Sequence, residues 1–588
     1  MKAFVRFTTI LAVSLLLVSF VSVSLAEEIS QPVYKVIEEK NVMVEMRDGV
    51  RLATDIYRPD AEGKFPALLV RTPYNKTAQW TASAAPFFAV RGYCVIIQDC
   101  RGTSASEGVF DAFQPEGPDG FDTQQWIGTR SWCNGKIGTF GPSYLGFTQW
   151  MPAPLASPYL VALCPEVTFA DTHDMFVYYG GAFRLLLAGG WSSLEIVPYV
   201  IPADTIRSNW SAAFRHLPLL EMDRDLGWKL FFLRTWLAHP EKDTYWQRSS
   251  INNDYTAVKA STLNIGGWFD IFLKGTLTNF TGMTGSDIEP GIRKKQKLLI
   301  GPWMHSISSD GKVGAMDFGD HAGLDLNGIR LHWFDSQLKG LDNGFMDEPP
   351  VRLFVMGTNT WRFENEWPLA RTVYRKHYFH SDGGANTLHG NGRLDTTIPG
   401  NEPADRFVYD PENPVPFVPD PLSNALWALG PCDQKSVEER KDVLVYSTPP
   451  LREDIEVTGP VEVILCAASS AVNTDFTAKL CDVWPDGRSM RLCEGIIRAS
   501  FRNGPTNTSA IEPGKVYEYH IDLWATSNVF KKGHQIRVEI SSSSFPRFDR
   551  NLNTTLYNAL GTEIAKAEQT LYHNEKYPSC IVLPVIPK

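Results

Sequence analysis

The chain has no extended basic run, no low-complexity tract and no internal repeat. Its 56 Lys and Arg are outnumbered by 66 Asp and Glu, for a net charge of −10, so no polycationic surface for nucleic acid or anionic lipid is expected. Long apolar runs are also missing. The longest near the amino terminus, Ile10 to Val23, is too short to cross a bilayer. Lys2 and Arg6 precede it and Ser24-Leu25-Ala26 closes it, so residues 1–26 read as an export signal and the mature chain starts near Glu27. The expected location is secreted or periplasmic, with no membrane attachment after cleavage. No Cys/His spacing resembles a zinc site, and no metal or cofactor is expected.

Cysteine is sparse: Cys94, Cys100, Cys133, Cys164, Cys432, Cys466, Cys481, Cys493 and Cys580 are an odd number, so at least one has no partner within the chain. Cys94, Cys100 and Cys164 sit in or beside apolar segments and read as core residues. Cys481 and Cys493 are spaced to meet across a hairpin.

What is present is a globular composition, 43% hydrophobic and 21% charged, on 588 residues, which exceeds one ordinary core and implies several domains. Lys40 to Tyr57 alternates around Arg47-Asp48-Gly49 and reads as a β-hairpin. Apolar runs of strand length follow at Ala67–Val70, Cys94–Gln98, Ile137–Phe140 and Val161–Cys164, separated by helix-length segments such as Pro118–Ile127. That alternation indicates a parallel sheet covered on both faces, an α/β domain over residues 27–168. Residues 169–257 turn aromatic and helical, for example Leu226 to Ala238, and read as a helical cap insertion. The sheet resumes at Leu263–Gly266 and Lys297–Ile300, with a helix near Ile329–Leu338, giving a second α/β part over 258–349. Beyond Pro349, short alternating segments (Val351–Val355, Val461–Leu465, Tyr517–Leu523, Ile536–Ile540) predict an all-β sandwich or jelly roll over 350–588.

The chemistry centres on Gly141-Pro142-Ser143-Tyr144-Leu145-Gly146. A strand, a tight turn and an immediate helix around a serine make a nucleophile elbow, although the second glycine stands one position later than in G-x-S-x-G. A glycine there still lies in the first helical turn, where strand and helix backbones approach. Partners should follow in the order acid, then histidine. Asp270 follows the strand and glycine turn Leu263 to Gly267, and His305 follows Lys297 to Ile300 and Gly301-Pro302. His321, in a loop, and His332, inside a helix, are the competing bases. The Tyr144 N–H is one expected oxyanion donor, and the Tyr74 hydroxyl, in the loop after Ala67–Val70, is available as the other.

These segments resemble the cocaine esterase and X-prolyl dipeptidyl-peptidase group of α/β-hydrolases, which includes the α-amino acid ester hydrolases. The group's elbow is G-x-S-Y-x-G, as in GPSYLG, and the resemblance continues through RTPYNK, QDCRGTSASEG, WCNGKIG, GGWFD, GPWMH and FKKGHQIRVEISSSSFPRFDRN. It implies a triad of Ser143, His305 and Asp270, an oxyanion hole of Tyr74 and Tyr144, a cap over the site and a carboxy-terminal jelly roll. Phe272 and Trp303 are candidates to line the acyl pocket, and Asp99 and Arg101 a structural ion pair. The amino acid ester hydrolases carry acidic residues two and three places after the triad aspartate, where this chain has Phe272 and Leu273; Asp171 and Asp174 are alternative carboxylates for a substrate amine. The expected function is ester or amide cleavage on a small molecule through an acyl-enzyme. An X-Pro dipeptidyl-peptidase and an inert carbohydrate-binding scaffold are the other readings.

Overall fold

The computed structural model describes residues 29–588 apart from 201–209, 228, 252–253, 308 and 420–429. The segment expected to be an export signal, residues 1–26, lies outside the described residues. Among them, ten strands form a first sheet: β1 (Val36–Glu45), β2 (Arg51–Pro59), β3 (Phe65–Thr72), β4 (Cys94–Asp99), β5 (Cys133–Pro142), β6 (Leu160–Glu166), β7 (Ser261–Gly267), β8 (Gln296–Gly301), β9 (Val351–Val355) and β10 (Thr360–Glu364). Their order is β1-β2-β4-β3-β5-β6-β7-β8-β9-β10. The hairpin β1–β2 and the edge strand β10 are antiparallel, and β4 through β9 run parallel. Burial on both faces explains the continuous apolar inner strands: every residue of β4, β7 and β8 is buried.

Two strands beyond residue 350 join the first sheet. Val351–Val355 pairs in parallel with β8, Leu298 opposite Val351, and Thr360–Glu364 closes the edge beside it. Five residues give too few turns of pattern to say which sheet takes a strand.

Between β6 and β7 the chain forms short helical turns, including Trp191–Glu195, Leu219–Leu226 and Phe231–Ala238, and a small hairpin of Tyr178–Tyr179 with Ala182–Phe183. The single helix expected over Leu226–Ala238 is broken, because Gly227 takes φ +87° and Asp223 captures the Leu230 N–H at 3.0 Å. Phe113 fastens this insertion to the hydrolase core: its ring stacks on Tyr144 at 4.7 Å, Trp191 at 5.4 Å and Trp236 at 5.9 Å.

The remaining chain is an all-β domain whose described strands make an eleven-stranded sheet, with Ile455–Ser469 and Tyr517–Phe530 its longest antiparallel pair. All nine cysteines are buried and unbridged. Cys493 lies opposite Leu480, one residue from Cys481, so period-2 alternation turns the two thiols to opposite faces and the hairpin bridge cannot form. Asn279, in an Asn-X-Thr sequence, is 1% exposed with its Oδ1 taking the Tyr255 hydroxyl, which removes it as a glycan acceptor; Asn209 lies outside the described residues. No helix among the described residues is long and apolar enough to cross a membrane.

Candidate active site

Strand β5 ends at Pro142 and a helix, Tyr144–Trp150, starts at once, leaving Ser143 between them at φ +58°, ψ −123°. A non-glycine residue in that region is strained and persists only where its surroundings hold it. Here the Ser143 N–H donates to the Glu166 carbonyl at 2.9 Å, and its carbonyl accepts from Gly146 N–H, Phe147 N–H and the Thr168 hydroxyl. The displaced glycine has a physical reason. A Cβ on Gly146 would stand 2.6 Å from Thr168 Cβ, whereas Leu145, in the usual glycine position, covers the space where a Gly141 Cβ would be. Gly146→Ala should therefore cost about 1–3 kcal/mol by overpacking. Urea unfolding checks this, and an unchanged midpoint would contradict the packing argument.

The Tyr144 ring is locked underneath. Its hydroxyl donates to Glu116 at 2.9 Å and accepts from the Phe113 N–H at 3.0 Å, while Arg71 holds the other Glu116 oxygen at 2.6 Å. As the first residue of the helix, Tyr144 has a backbone N–H that the helix does not use.

Asp270 and His305 meet as their strand-end positions imply. Imidazole Nδ1 lies 2.8 Å from Asp270 Oδ1, and Phe272 packs edge-on against the imidazole at 5.3 Å. With Nδ1 turned to Asp270, a hydroxyl acting on this imidazole would meet Nε2. Ser143, His305, Tyr74 and Phe272 line one cavity of about 450 Å³. Neither His321 nor His332 lines it; the His321 Nε2 is 2.5 Å from the Asn359 carbonyl oxygen.

Tyr74 is buried with its oxygen accepting from the Trp191 indole N–H at 2.7 Å. Indole can only donate, so the phenol must spend a lone pair there and keep its own proton for another acceptor. Burial raises the phenol far above its ordinary range, which keeps that proton in place at any working pH.

Some expected residues fall elsewhere. Trp303 does not line the cavity: it is fully buried, its indole donating to Ala322 O, because glycines 267 and 301 leave the space into which it packs. Asp171 and Asp174 are clamped by one lysine, Lys242, at 2.7 Å each, away from the cavity. Asp99 and Arg101 do not pair with each other: Asp99 accepts the Lys76 N–H, and Arg101 bridges Asp119 and Asp48.

Three charged residues of the cavity wall were not anticipated: Glu166, Arg330 and Glu195. Glu166 could have been found by the same strand-end rule as Asp270, whereas Arg330, on the helix Leu326–Phe334, reads locally as a surface residue. The two form a bidentate pair, Nε to Oε1 at 2.6 Å and Nη2 to Oε2 at 2.5 Å. Among the described residues, the group that could hold a metal ion, Glu438, Cys481 and Glu539, lies in the all-β domain and already faces Arg537 and Lys479. Burial first, then the Glu539 charge, pushes Glu438 up to about 7.

The chain was compared with known proteins. A family described as X-Pro dipeptidyl-peptidase (S15 family) matches residues 48–307, and one described as X-Pro dipeptidyl-peptidase C-terminal non-catalytic domain matches 343–582. Cocaine esterase of Rhodococcus sp. (strain MB1 Bresler) is 39% identical over 573 residues, 93% of this chain and 98% of that protein. Two solved structures, an α-amino acid ester hydrolase and an aminopeptidase from a marine sediment Thaumarchaeota archaeon, each superpose with a TM-score of 0.82 at 26% identity, covering 94% of this chain and 97% of theirs.

Proposed function

Because this chain belongs to the X-Pro dipeptidyl-peptidase (S15) family of serine hydrolases, we propose that it is an exported esterase working through Ser143, His305 and Asp270. The observation that carries the reading is the convergence on one cavity of a strained serine, an imidazole 2.8 Å from a buried carboxylate, and a tyrosine with an uncommitted proton. His305 takes the Ser143 proton as the hydroxyl oxygen attacks the ester carbonyl. The oxyanion is received by the Tyr74 hydroxyl and the Tyr144 N–H. The imidazolium then returns its proton to the departing alkoxide, leaving an acyl-serine. Water, deprotonated by the same imidazole, releases the acid.

The cavity favours an apolar acyl group. Phe176, Leu187, Trp191, Ile271, Phe272 and Leu326 wall it, while the charges of Glu166 and Arg330 neutralise each other. Binding energy from such a wall grows with the apolar area it covers. Purified protein should therefore hydrolyse p-nitrophenyl benzoate or hexanoate at least about tenfold faster in kcat/KM than the acetate. The same assay run on Gly-Pro- and Ala-Pro-p-nitroanilide addresses the dipeptidyl-peptidase reading, which Glu195 favours as a carboxylate in the cavity wall. Faster turnover of either anilide than of every ester would replace the esterase assignment with that one.

A further inference from the structure

Asp270 engages His305 with one oxygen only. Its Oδ2 is buried and has no hydrogen-bond partner among the described residues, and the residue is 1% exposed. A carboxylate kept ionised in such a place needs positive charge nearby. The lysine one turn further on does not supply it, since Lys274 pairs with Asp522 at 2.7 Å. Arg330 is committed to Glu166.

Arg184 has the opposite problem. It lies in the cap insertion, is 4% exposed, and forms no ion pair among the described residues. Its hydrogen bonds go to carbonyl oxygens: Nη1 to Met175, and Nη2 at 2.8 Å to Ile271, the residue that follows Asp270. The guanidinium also stands 5.9 Å from the Phe272 ring centre. Burial pulls this arginine down to about 9, the neighbouring Arg547 pulls the same way, and attraction to Asp270 and Tyr179 opposes both. A buried cation with no ion pair among the described residues is thus bonded to the carbonyl of Ile271, next in the chain to a carboxylate whose Oδ2 has no donor among them.

We propose that Arg184 is a positioning residue for the hydrolytic reaction: the cap's guanidinium is the counter-charge of Asp270 and fixes the loop that carries it. This rests on the Ser143–His305–Asp270 reading. Arg184 does not line the substrate cavity itself, but it holds Ile271 and stands beside Phe272, which do. An effect through the wall is therefore read in KM, and an effect through Asp270 in kcat and the pH profile. The cap then does more than cover the site, because the carboxylate behind the imidazole depends on it. Other charges face the same pair. Arg547, held to Glu494 at 3.0 Å, and Arg491 approach from the all-β domain across a cavity of about 30 Å³ that Asp270 also lines; Glu166, Arg330 and Glu195 face it from the substrate side. None of these is altered in the test.

The sign follows from charge. A cation beside the dyad opposes proton uptake by the His305–Asp270 pair, so its removal eases protonation and moves the acid limb of the kcat/KM profile to higher pH. Arg184→Met should shift that limb upward by about half a unit or more and lower kcat about tenfold or more, with KM for p-nitrophenyl esters little changed. Arg184→Lys, which keeps the charge, should restore the limb. An unmoved limb in Arg184→Met, or a lysine variant shifted as far as the methionine one, overturns the proposal.

Stability supplies a second measurement should Arg184→Met not fold. Asp270→Asn leaves Arg184 without its counter-charge, so adding Arg184→Met to it should cost little or raise the melting temperature, whereas the two losses simply summing would refute the coupling. Failure of the triad itself is recognised separately, by Ser143→Ala keeping its activity.

Discussion

Replacing Ser143 by alanine is expected to reduce p-nitrophenyl ester turnover by about 10⁴-fold or more, to the level that binding and the oxyanion donors sustain alone. The expectation is this large because the geometry offers no substitute nucleophile. Ser306 also lines the cavity but lies next to His305 in the chain, with no strained turn to present it. The strain at Ser143 gives a second signature. Alanine still requires φ +58°, so the variant should be close to wild type in stability while losing turnover, a separation that a structural serine would not produce. Mass spectrometry after fluorophosphonate treatment closes the argument: the wild-type adduct belongs on the peptide carrying Ser143 and is absent from the variant. Wild-type rates in Ser143→Ala would end the esterase mechanism, and an unlabelled wild-type protein would revive the inert scaffold.

Tyr74→Phe is expected to lower kcat about 10²–10³-fold, equivalent to about 3–4 kcal/mol of transition-state stabilisation. The substitution is nearly isosteric, so the pocket keeps its shape. It removes one proton donor and leaves the Trp191 N–H without its acceptor at 2.7 Å, a secondary cost that appears in stability. The two effects are distinguishable. Loss of the oxyanion donor appears in kcat with KM little altered, whereas a displaced Trp191, which walls the acyl pocket, raises KM. A kcat within threefold of wild type would remove Tyr74 from the oxyanion hole.

The residues that the sequence made legible are those whose role depends on local chain geometry. Ser143, Asp270 and His305 each follow an apolar strand and a glycine turn, so strand ends on one edge of a parallel sheet brought them together without any knowledge of tertiary contacts. Cys94, Cys100 and Cys164 were legible for the same local reason, as members of or neighbours to buried strands. Trp303 was not. It occupies a strand-end position like His305, and only the glycines at 267 and 301, distant from each other in the chain, decide that it turns inward. Arg184 and Arg330 were invisible because their partners lie 87 and 164 residues away, whereas Glu166 stands at a strand end and was within reach of the rule that found Asp270. That Val351–Val355 joins the first sheet was not legible, because a strand's sheet membership is fixed by its neighbour, β8, rather than by its own alternation.

The unbridged cysteines bear on how the chain would last in an oxidising medium. Burial raises every one of these thiols, Cys94 to about 12 and Cys466 and Cys580 to about 11, so the native state presents almost no thiolate to an oxidant. An opened chain would expose all nine at ordinary reactivity, where an oxidant can cross-link them. Durability in an oxidising medium is then set by how seldom the molecule opens, a rate rather than an equilibrium, and a mild reductant should lengthen its working half-life at elevated temperature.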